Sequence, residues 1–415
     1  CSFQGDMINP WTTTGNFFDV QTSTILSITS TTFQFITSRA LIQVTAQEFL
    51  MVEMNFNRII ATETIINMDC NSFQFDGPSR IVDITCPATQ CFYSKILSVA
   101  VITGLQIGPS TIYNTSPMFQ FDVATDVRLT GVHTISVAGK ILVVIAGLNT
   151  LQVTASSFSQ MGDGFMTIPA TSVVEFVDTH FTDSTLEATN IFTLKGDLAM
   201  ETSVRMENVV FDSIWTDQAF LMDIGVAQST FISTQFMKIT GAQFVMSFMS
   251  FSVDSNFPHQ VTFQNASYTD SSSTLLEMTS CPHSLSITGM AFDQISTTLG
   301  GLIAGIDSTL STATFRFEMV TVTNCAADYL LKVAGPGNAM AVTRSVWNNN
   351  MVNYDTAILL HHSSGNKPSD IEFTDNHYEE TNSGITLNPD GLLSFHNNNF
   401  TVNFESQPLV LSHFV

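Results

Sequence analysis

One short pattern recurs along the chain and constrains its fold more than any other feature. An apolar residue is followed five positions later by a second residue, usually aromatic, as in Phe231–Phe236, Phe263–Tyr268 and Phe395–Phe400. We call the second residue of each copy the anchor. Repeats at a fixed period of roughly 20–50 residues indicate a repeat architecture. The anchors, about 26 residues apart on average, are Phe33, Phe56, Cys86, Ile107, Thr134, Phe158, Phe181, Phe211, Phe236, Tyr268, Phe292, Val322, Trp347, Tyr378 and Phe400.

The spacing within the pattern predicts a bend. Side chains of a strand alternate between its two faces, so two inward residues should be an even number of positions apart. The two apolar positions here are five apart. Three residues before the anchor, Gly, Ala, Ser, Asn or Asp occurs in twelve of the fifteen copies. Such residues tolerate left-handed backbone or cap a turn, so we name this the corner position and expect a tight turn there.

The repeat predicts an all-β fold, a single right-handed parallel β-helix (solenoid) of about fifteen coils with about 26 residues per coil. Each step carries a second apolar run downstream, such as residues 358–360, so one coil holds two or three strands. Helical periodicity is absent, which excludes a helical solenoid. A β-propeller blade would need roughly 40–45 residues.

Two segments are predicted. Residues 1–19, with Pro10, Trp11 and Gly15, form an irregular N-terminal cap, and residues 20–415 form the parallel β-helix. The apolar stretch at 409–415 offers no capping motif, so we expect an uncapped C-terminal edge. An open edge must be covered or paired. We therefore expect the chain to continue, to dock a partner, or to stack end to end on another copy.

Composition excludes several functions. The net charge is −23 with only 13 Lys and Arg, which argues against nucleic acid and anionic lipid surfaces as partners. Hydrophobic residues make up 44% of the chain, enough for a large core. The most apolar stretch, residues 141–148, is too short to span a bilayer. An acidic surface instead suits cations or a basic partner.

The cysteine content indicates an oxidising, extracellular or cell-surface location. Cys86 and Cys91 are close enough to clip one loop, and Cys70 could pair with Cys1, although pairing cannot be read from sequence. Because the chain begins at Cys1, we expect that a leader was removed or that this is a segment of a longer protein. The candidate disulfide cysteines are Cys1, Cys70, Cys86, Cys91, Cys281 and Cys325.

The coil pattern resembles the pectate-lyase-like right-handed β-helix superfamily. The segments Phe373-Thr-Asp-Asn376 and Phe395-His-Asn-Asn398 also resemble the Phe-x-x-Asn repeats of polymorphic-outer-membrane-protein-type surface β-helices. That second resemblance implies adhesion or display, although the companion Gly-Gly-Ala-Ile repeats are missing. Polygalacturonase-like enzymes carry Gly-His-Gly and Arg-x-Lys motifs, and neither occurs here.

No catalytic, cofactor or metal site is predicted. The thirteen basic residues look scattered, and any facing pair of carboxylates could arise by accident. Asp370, Asp375, Glu379 and Glu380 could form a calcium cage, but a solvated loop is the favoured interpretation. His361 and His362 would point to opposite faces of a strand and so cannot chelate one metal together.

Asparagine clusters are interpreted as structural. Stacked amides at the turns of a solenoid satisfy one another between coils, and this is expected for residues 348–350 and 397–399. Three N-glycosylation sequons begin at Asn114, Asn265 and Asn399. Asn114 is the best loop candidate, and Asn265 occupies a corner where it could be buried.

These observations favour an extracellular structural or adhesive module, a subunit or segment of a surface filament, appendage or coat without catalytic activity. Its expected partners are further copies stacked end to end or other surface proteins. The alternative is a carbohydrate-active enzyme or a glycan-binding spike, which a cleft with aromatics and two facing acids would support. A passenger region of a transported surface protein is the third interpretation.

Overall fold

The computed structural model describes the whole chain except residues 6–10, 87–89, 110, 113–116, 170–172, 188, 196–201, 219, 226, 250–258, 280–282, 298–300, 308–313, 335–338, 354–355, 362–369, 390, 402–409 and 412–415. The described residues are all-β, and none of them forms a helix. They build a parallel β-solenoid of about 13 turns whose equivalent positions are about 25 residues apart. The fifteen predicted coils are close to this number.

The chain divides into two compact units, Cys1–Gly196 and Asp197–Val415. The strands of unit 1 are β1 (Ser2–Gln4), β2 (Trp11–Thr12), β3 (Phe18–Gln21), β4 (Ile25–Thr29), β5 (Thr32–Thr45), β6 (Glu48–Val52), β7 (Asn55–Asp69), β8 (Ser72–Asp76), β9 (Ser79–Val82), β10 (Thr85–Cys86), β11 (Phe92–Ser94), β12 (Leu97–Thr103), β13 (Leu105–Ile107), β14 (Thr111–Ile112), β15 (Phe119–Thr130), β16 (His133–Ile135), β17 (Leu142–Ala146), β18 (Thr150–Thr154), β19 (Ser157–Ser159), β20 (Met166–Pro169), β21 (Val173–Val177), β22 (His180–Leu186) and β23 (Phe192–Lys195).

The strands of unit 2 are β24 (Ser203–Glu207), β25 (Val210–Thr216), β26 (Phe220–Ile224), β27 (Gln228–Ile232), β28 (Gln235–Thr240), β29 (Phe244–Met249), β30 (His259–Gln264), β31 (Ser267–Thr269), β32 (Thr274–Thr279), β33 (His283–Thr288), β34 (Ala291–Asp293), β35 (Ala304–Asp307), β36 (Thr314–Glu318), β37 (Thr321–Thr323), β38 (Ala326–Ala327), β39 (Leu331–Ala334), β40 (Ala339–Thr343), β41 (Val346–Asn348), β42 (Met351–Val352), β43 (Thr356–His361), β44 (Asp370–Thr374), β45 (His377–Glu379), β46 (Gly384–Asn388), β47 (Leu393–His396), β48 (Asn399–Thr401) and β49 (Val410–Leu411).

Each coil of unit 2 has three faces. The first strand, such as β27, stacks in parallel on its counterpart β30 in the next coil, and this column of strands is the first face. The anchor strand, such as β28, stacks on β31 and belongs to the second face. The third strand, such as β29, stacks on β32 and belongs to the third face. Strands inside the stack are thus hydrogen-bonded to the coils above and below, about 4.8 Å away.

Inward side chains at equivalent positions stack into a continuous core. Phe231 lies over Phe263 with ring centroids 4.7 Å apart, and Phe211 lies over Phe236 at 5.1 Å. All four rings are buried. Because the same position recurs in each coil, an apolar residue there always meets another one, which explains the period read from the sequence.

The predicted corner has left-handed backbone at fourteen of the fifteen copies. These fourteen corner residues have φ between 45° and 65°. Left-handed backbone crowds the Cβ of most residues, which is why Gly, Asn, Asp and Ser predominate. The corner residues are Ser30, Glu53, Gly104, Gly131, Ala155, Asp178, Asn208, Ser233, Asn265, Gly289, Met319, Arg344, Asp375 and Asn397.

The assignment of Cys86 as an anchor is wrong. Phe56 is in register with Ile81, and Ile81 with Ile107, so Ile81 is the anchor of that coil. Cys86 lies in β10 and pairs with Ile112. The turn that precedes Ile81 contains Gly77, at φ 77°, and one extra residue before the strand, which lengthened the pattern and hid it.

A second left-handed corner follows the anchor by two residues, and the sequence reasoning missed it. Its residues are mostly polar but differ in size and charge, so no residue type recurs often enough at this position to reveal the corner in the sequence. They are Phe35, Arg58, Asp83, Ser136, Gln160, Asp183, Ser213, Lys238, Asp270, Gln294, Asn324, Asn349 and Glu380. Asp83 therefore belongs to this corner.

The N-terminal segment is not an irregular cap within its described residues. Phe3 pairs in register with Phe33, Trp11 with Ile36, and Phe18 with Ile42. Three short strands therefore stack on β5 as a further coil, and its Phe rings extend the core stack. The C-terminal stretch of the uncapped-edge prediction lies mostly outside the described residues, and its β49 pairs with β46.

Within the described residues no helix is long and apolar enough to cross a membrane.

Candidate functional site

A trough lies on the first face of unit 2, where β36, β40, β44 and β47 run side by side in parallel. Outward side chains at equivalent positions form rows across these strands. Arg316 is in register with Ala341, and Ala341 with Glu372. The neighbouring row places Ala339 against Asp370. Because the side chains of Ala339 and Ala341 are small, they form a low floor between the longer side chains of the neighbouring strands. The resulting trough has a volume of about 640 Å³.

One wall is a guanidinium pair held by a buried carboxylate. Arg316 donates from Nη2 to Oε2 of Glu318 at 2.6 Å, and Arg344 donates to the other oxygen, Oε1. The Glu318 side chain is only 10% exposed, whereas those of Arg316 and Arg344 are 57% and 56% exposed. Glu318 therefore lies beneath the two cations and fixes their direction.

The backbone explains why these three residues meet. Arg316 and Glu318 are two positions apart on β36, so both side chains point outward. Arg344 occupies the left-handed corner of the next coil, at φ 52°, and reaches back to the end of β36. The corner turns its side chain toward the trough that it lines.

The opposite wall is acidic. Asp370 and Glu372 lie two positions apart on β44 and are exposed, and Asp375 lies at the following corner. Asp370 accepts a hydrogen bond from the backbone N–H of Leu392 at 2.8 Å. Glu372 accepts one from the hydroxyl of Thr374 at 3.3 Å. The carboxylates of Asp370 and Glu372 are each held by one hydrogen bond, and both side chains line the trough.

The rim adds an apolar surface and further polar groups. Leu392 lines the trough and is 70% exposed. Ser394 is in register with Glu372, and His396 with Thr374, on the adjacent strand β47. The arrangement combines donors at one wall, acceptors at the other and a narrow floor. Such a site can bind a hydroxyl-rich ligand that lies across the coils.

The sequence reasoning missed the guanidinium pair. It described the basic residues as scattered, and this is wrong for Arg316 and Arg344, which converge because they lie one coil apart. The sequence does contain a pattern that indicates this pair. The Arg-Phe-Glu segment at 316–318 is followed about one coil length later by Arg344 at a corner position.

The calcium candidates do not converge. Asp370 and Asp375 line the trough, whereas Glu379 lies on the second face and accepts from Nε2 of His377 at 3.0 Å. Glu380 is at the second corner. No group of three or more His, Cys, Asp or Glu placed to hold a metal occurs in the part of the chain that the structure describes. His361 lies on β43, and His362 is outside the described residues.

The asparagine prediction is confirmed for Asn350 and Asn398 and is wrong for Asn348, whose Oδ1 is buried without a hydrogen-bond partner. Asn350 accepts the N–H of Cys325 at 3.0 Å and donates to the carbonyl of Val322 at 3.1 Å. Asn398 likewise accepts the N–H of Asn376 at 3.0 Å and donates to a carbonyl of the preceding coil. At the exposed second corner, Asn349 donates to Asn324 at 2.6 Å.

The sequons fall in different surroundings. Asn114 lies outside the described residues. Asn265 is exposed at its corner, and the expectation that it could be buried is wrong. Asn399 is exposed on β48, and its amide lies 3.1 Å from Nδ1 of His377. Their glycosylation stays a prediction.

Among the described cysteines, Cys86 and Cys91 form a disulfide, whereas Cys1, Cys70 and Cys325 are free. The pairing of Cys70 with Cys1 does not form. Cys70 is buried just after the third strand of its coil, whereas Cys1 is exposed and its carbonyl accepts from Thr32 at the start of an anchor strand. Cys281 lies outside the described residues.

Comparisons with known proteins give little further information. No family model and no curated protein matches the chain. Among solved structures, the chain is similar to that of a PL6 family alginate lyase, AlyGC, with 10% sequence identity and a TM-score of 0.28. The match covers 96% of this chain and 94% of that one. A similarity at this level carries no argument about activity.

Proposed function

We propose that this protein is an extracellular β-solenoid that binds a polysaccharide in the trough on the first face of unit 2. The observation that carries the proposal is the floor formed by Ala339 and Ala341 between a wall of donors and a wall of acceptors. Sugar hydroxyls both donate and accept, so they can pair with both walls at once. The volume of about 640 Å³ suits a short stretch of saccharide.

The orientation of the trough supports an extended ligand. Its floor and its two walls come from three neighbouring coils, and coils repeat about every 4.8 Å. A linear saccharide that runs along the stack can therefore contact Arg316, Ala341 and Glu372 in turn. Glycan binding of this kind would serve adhesion at a surface, and the same groups would position a chain for cleavage if the protein is an enzyme.

The proposed location is extracellular. The Cys86–Cys91 disulfide supports an oxidising compartment. Charged residues make up only 12% of the chain. Its polar surface consists largely of Ser, Thr and Asn side chains, whose hydroxyl and amide groups can hydrogen-bond to hydrated glycans.

The test fills the floor of the trough. Ala341→Trp places a large ring where the ligand would lie, on an outward strand position that tolerates aromatics. We expect it to weaken saccharide binding at least about tenfold in calorimetry against a panel of polysaccharides. Ala291→Trp is the matched control, because Ala291 is an exposed outward residue on β34 of the second face, between Ser267 and Thr321.

Equal binding by both variants, or no binding of any polysaccharide by the unmodified protein, contradicts the proposal. Release of unsaturated or reducing chain ends, measured on the same samples, distinguishes an enzyme from a binding protein.

A further inference from the structure

We infer that the trough selects a saccharide in which an acidic sugar adjoins neutral sugars, rather than a uniformly acidic polymer. This inference rests on the proposed function and specifies its ligand. It comes from the separation of charge across the trough: the guanidinium groups of Arg316 and Arg344 stand at one wall and the carboxylates of Asp370 and Glu372 at the other.

The cationic wall fits one anionic group. Arg316 and Arg344 together carry two positive charges against the single negative charge of Glu318, so these three side chains keep a net positive charge. The exposed Asp375 lies at the equivalent corner one coil beyond Arg344. Each guanidinium has five N–H donors, and Glu318 is paired with Nη2 of each. The remaining donors can bind the two oxygens of a carboxylate or sulfate ester in a planar, bidentate manner.

Glu318 makes this wall rigid. Because its carboxylate is buried and paired on both oxygens, it restrains two long side chains that would otherwise lose conformational entropy on binding. A preorganised pair binds an anion better than two free arginines would. The buried position of Glu318 also keeps its own charge away from the ligand.

The acidic wall excludes a second anion nearby. Arg316 and Glu372 stand on either side of Ala341, so their strands are two coil spacings, about 10 Å, apart. An anionic group of the ligand beside Asp370 or Glu372 meets an exposed carboxylate of the same sign. A neutral sugar instead donates its hydroxyls to these oxygens. The net charge of −23 adds to the repulsion of a polyanion.

The experiment compares three oligosaccharides of equal length: one neutral, one alternating uronate with neutral sugar, and one homopolymeric uronate. Binding is measured by calorimetry on the full chain at low and raised salt. We expect the alternating oligosaccharide to bind about tenfold more tightly than either of the others. Raised salt should reduce this advantage, because the exposed charges are screened.

Two double variants test whether the cationic wall and the acidic wall cause the preference for the alternating oligosaccharide. Arg316→Gln combined with Arg344→Asn should remove the advantage of the alternating over the neutral oligosaccharide, because no cation is then left in this wall to pair with the uronate. Asn is used at 344 because it tolerates the left-handed corner. Asp370→Asn combined with Glu372→Gln should strengthen homopolymer binding. Far-ultraviolet circular dichroism confirms folding of each variant.

Arg205→Gln is the matched control. Arg205 lies on the same face and pairs with Glu207 two positions along its strand, as Arg316 does with Glu318, but it lies outside the trough. This change should leave all three affinities unaltered. Tighter binding of the homopolymer than of the alternating oligosaccharide, or equal binding of the neutral and alternating ones, overturns the inference alone. Absence of binding to all three overturns the proposed function as well.

Discussion

Asn376 and Asn398 occupy the same turn in successive coils, and one amide oxygen joins them twice. Oδ1 of Asn398 accepts from the backbone N–H of Asn376 at 3.0 Å and from its Nδ2 at 3.1 Å. Asn376 repeats the pattern, because its Oδ1 accepts the N–H of Ser345 at 2.9 Å and its Nδ2 donates to the carbonyl of Val342 at 2.9 Å. Each asparagine thus satisfies polar groups that the turn would otherwise bury unpaired.

Replacing Asn376 by Ala should destabilise unit 2. Asn376 is 2% exposed, so the substitution leaves the N–H of Ser345 buried without its partner and removes one hydrogen bond to the carbonyl of Val342, at a cost of about 2 kcal/mol in the free energy of unfolding. Chemical denaturation measures the loss, and hydrogen exchange should show faster exchange at Ser345. Asn353→Ala is the control, since its amide bonds Asp328 on the exposed surface, and a similar loss in that variant would contradict the role of the buried ladder.

Relief of backbone strain at the corner should stabilise the protein. Met319 has φ 53° and is 45% exposed, so its side chain contributes little burial there. Met319→Gly should raise the free energy of unfolding by about 1 kcal/mol, because left-handed backbone disfavours residues with a Cβ. Met351 is 64% exposed and lies in β42 with ordinary backbone, so Met351→Gly should instead be neutral or destabilising. Destabilisation by Met319→Gly would show that the corner tolerates methionine without strain.

The aromatic core stack should respond steeply to loss of a ring. Phe263 is buried against Phe231, with centroids 4.7 Å apart and planes 12° from parallel. Phe263→Ala should cost about 3–5 kcal/mol, and Phe263→Leu clearly less, because leucine refills part of the cavity. Thermal and denaturant unfolding both measure this. Equal losses for the two variants would indicate that ring volume does not determine stability at this position.

The coil architecture was predictable because the two features that determine it, inward apolar positions and left-handed corners, are both local in sequence. Inward positions such as Phe236 recur at one period, and corners such as Asn208 need a residue that tolerates left-handed backbone. These demands repeat in each coil and therefore appear in the sequence. Where one extra residue enters the turn before Ile81, the pattern shifts and the anchor was misassigned to Cys86. The second corner escaped notice because residues as different as Lys238 and Asp270 occupy it.

The trough could not be predicted in the same way. Arg316, Glu372 and Ala341 form one row only because three separate coils are in register. That register depends on the length of each intervening loop, and loop lengths vary along the chain. Short motifs therefore identify the scaffold, whereas the row of side chains that could bind a ligand emerges only from the stacked coils.

The free cysteines should differ in their rate of reaction with a thiol reagent, because Cys1 is exposed whereas Cys70 and Cys325 are buried. Burial, with a smaller contribution from the charge of Asp69, raises the pKa of Cys70 to about 12, and burial raises the pKa of Cys325 to about 11. A raised pKa lowers the thiolate fraction at neutral pH, and the thiolate is the reactive species. In native protein, iodoacetamide should modify the exposed Cys1 and spare both buried thiols until denaturant is added. Peptide mass spectrometry measures this, and native labelling of Cys70 as fast as of Cys1 would contradict the burial.

Acid should weaken the corner around Asp76. The hydroxyl of Thr103 and the backbone N–H of Gly77 hold the pKa of Asp76 below its ordinary value, against the opposing effect of burial. A depressed folded-state pKa gives stability that is present above the unfolded pKa of about 4 and is lost as the pH falls through the lower folded value. Thr103→Val removes the main donor, so the folded pKa should rise toward its ordinary value and the acid-dependent part of the stability should shrink.

The measurement is the unfolding midpoint from neutral pH down to about pH 2, which spans the titration of Asp76. Thr130→Val is the control, because Thr130 is the register partner of Thr103 in the next coil and its hydroxyl faces that of Thr154 rather than a carboxylate. We expect the Thr130 variant to keep the acid dependence of the unmodified protein, whereas the Thr103 variant should show a flatter profile below about pH 4. Identical profiles for the two variants would mean that the Thr103 hydroxyl does not set the titration of Asp76, and that the corner is stabilised by its backbone hydrogen bonds alone.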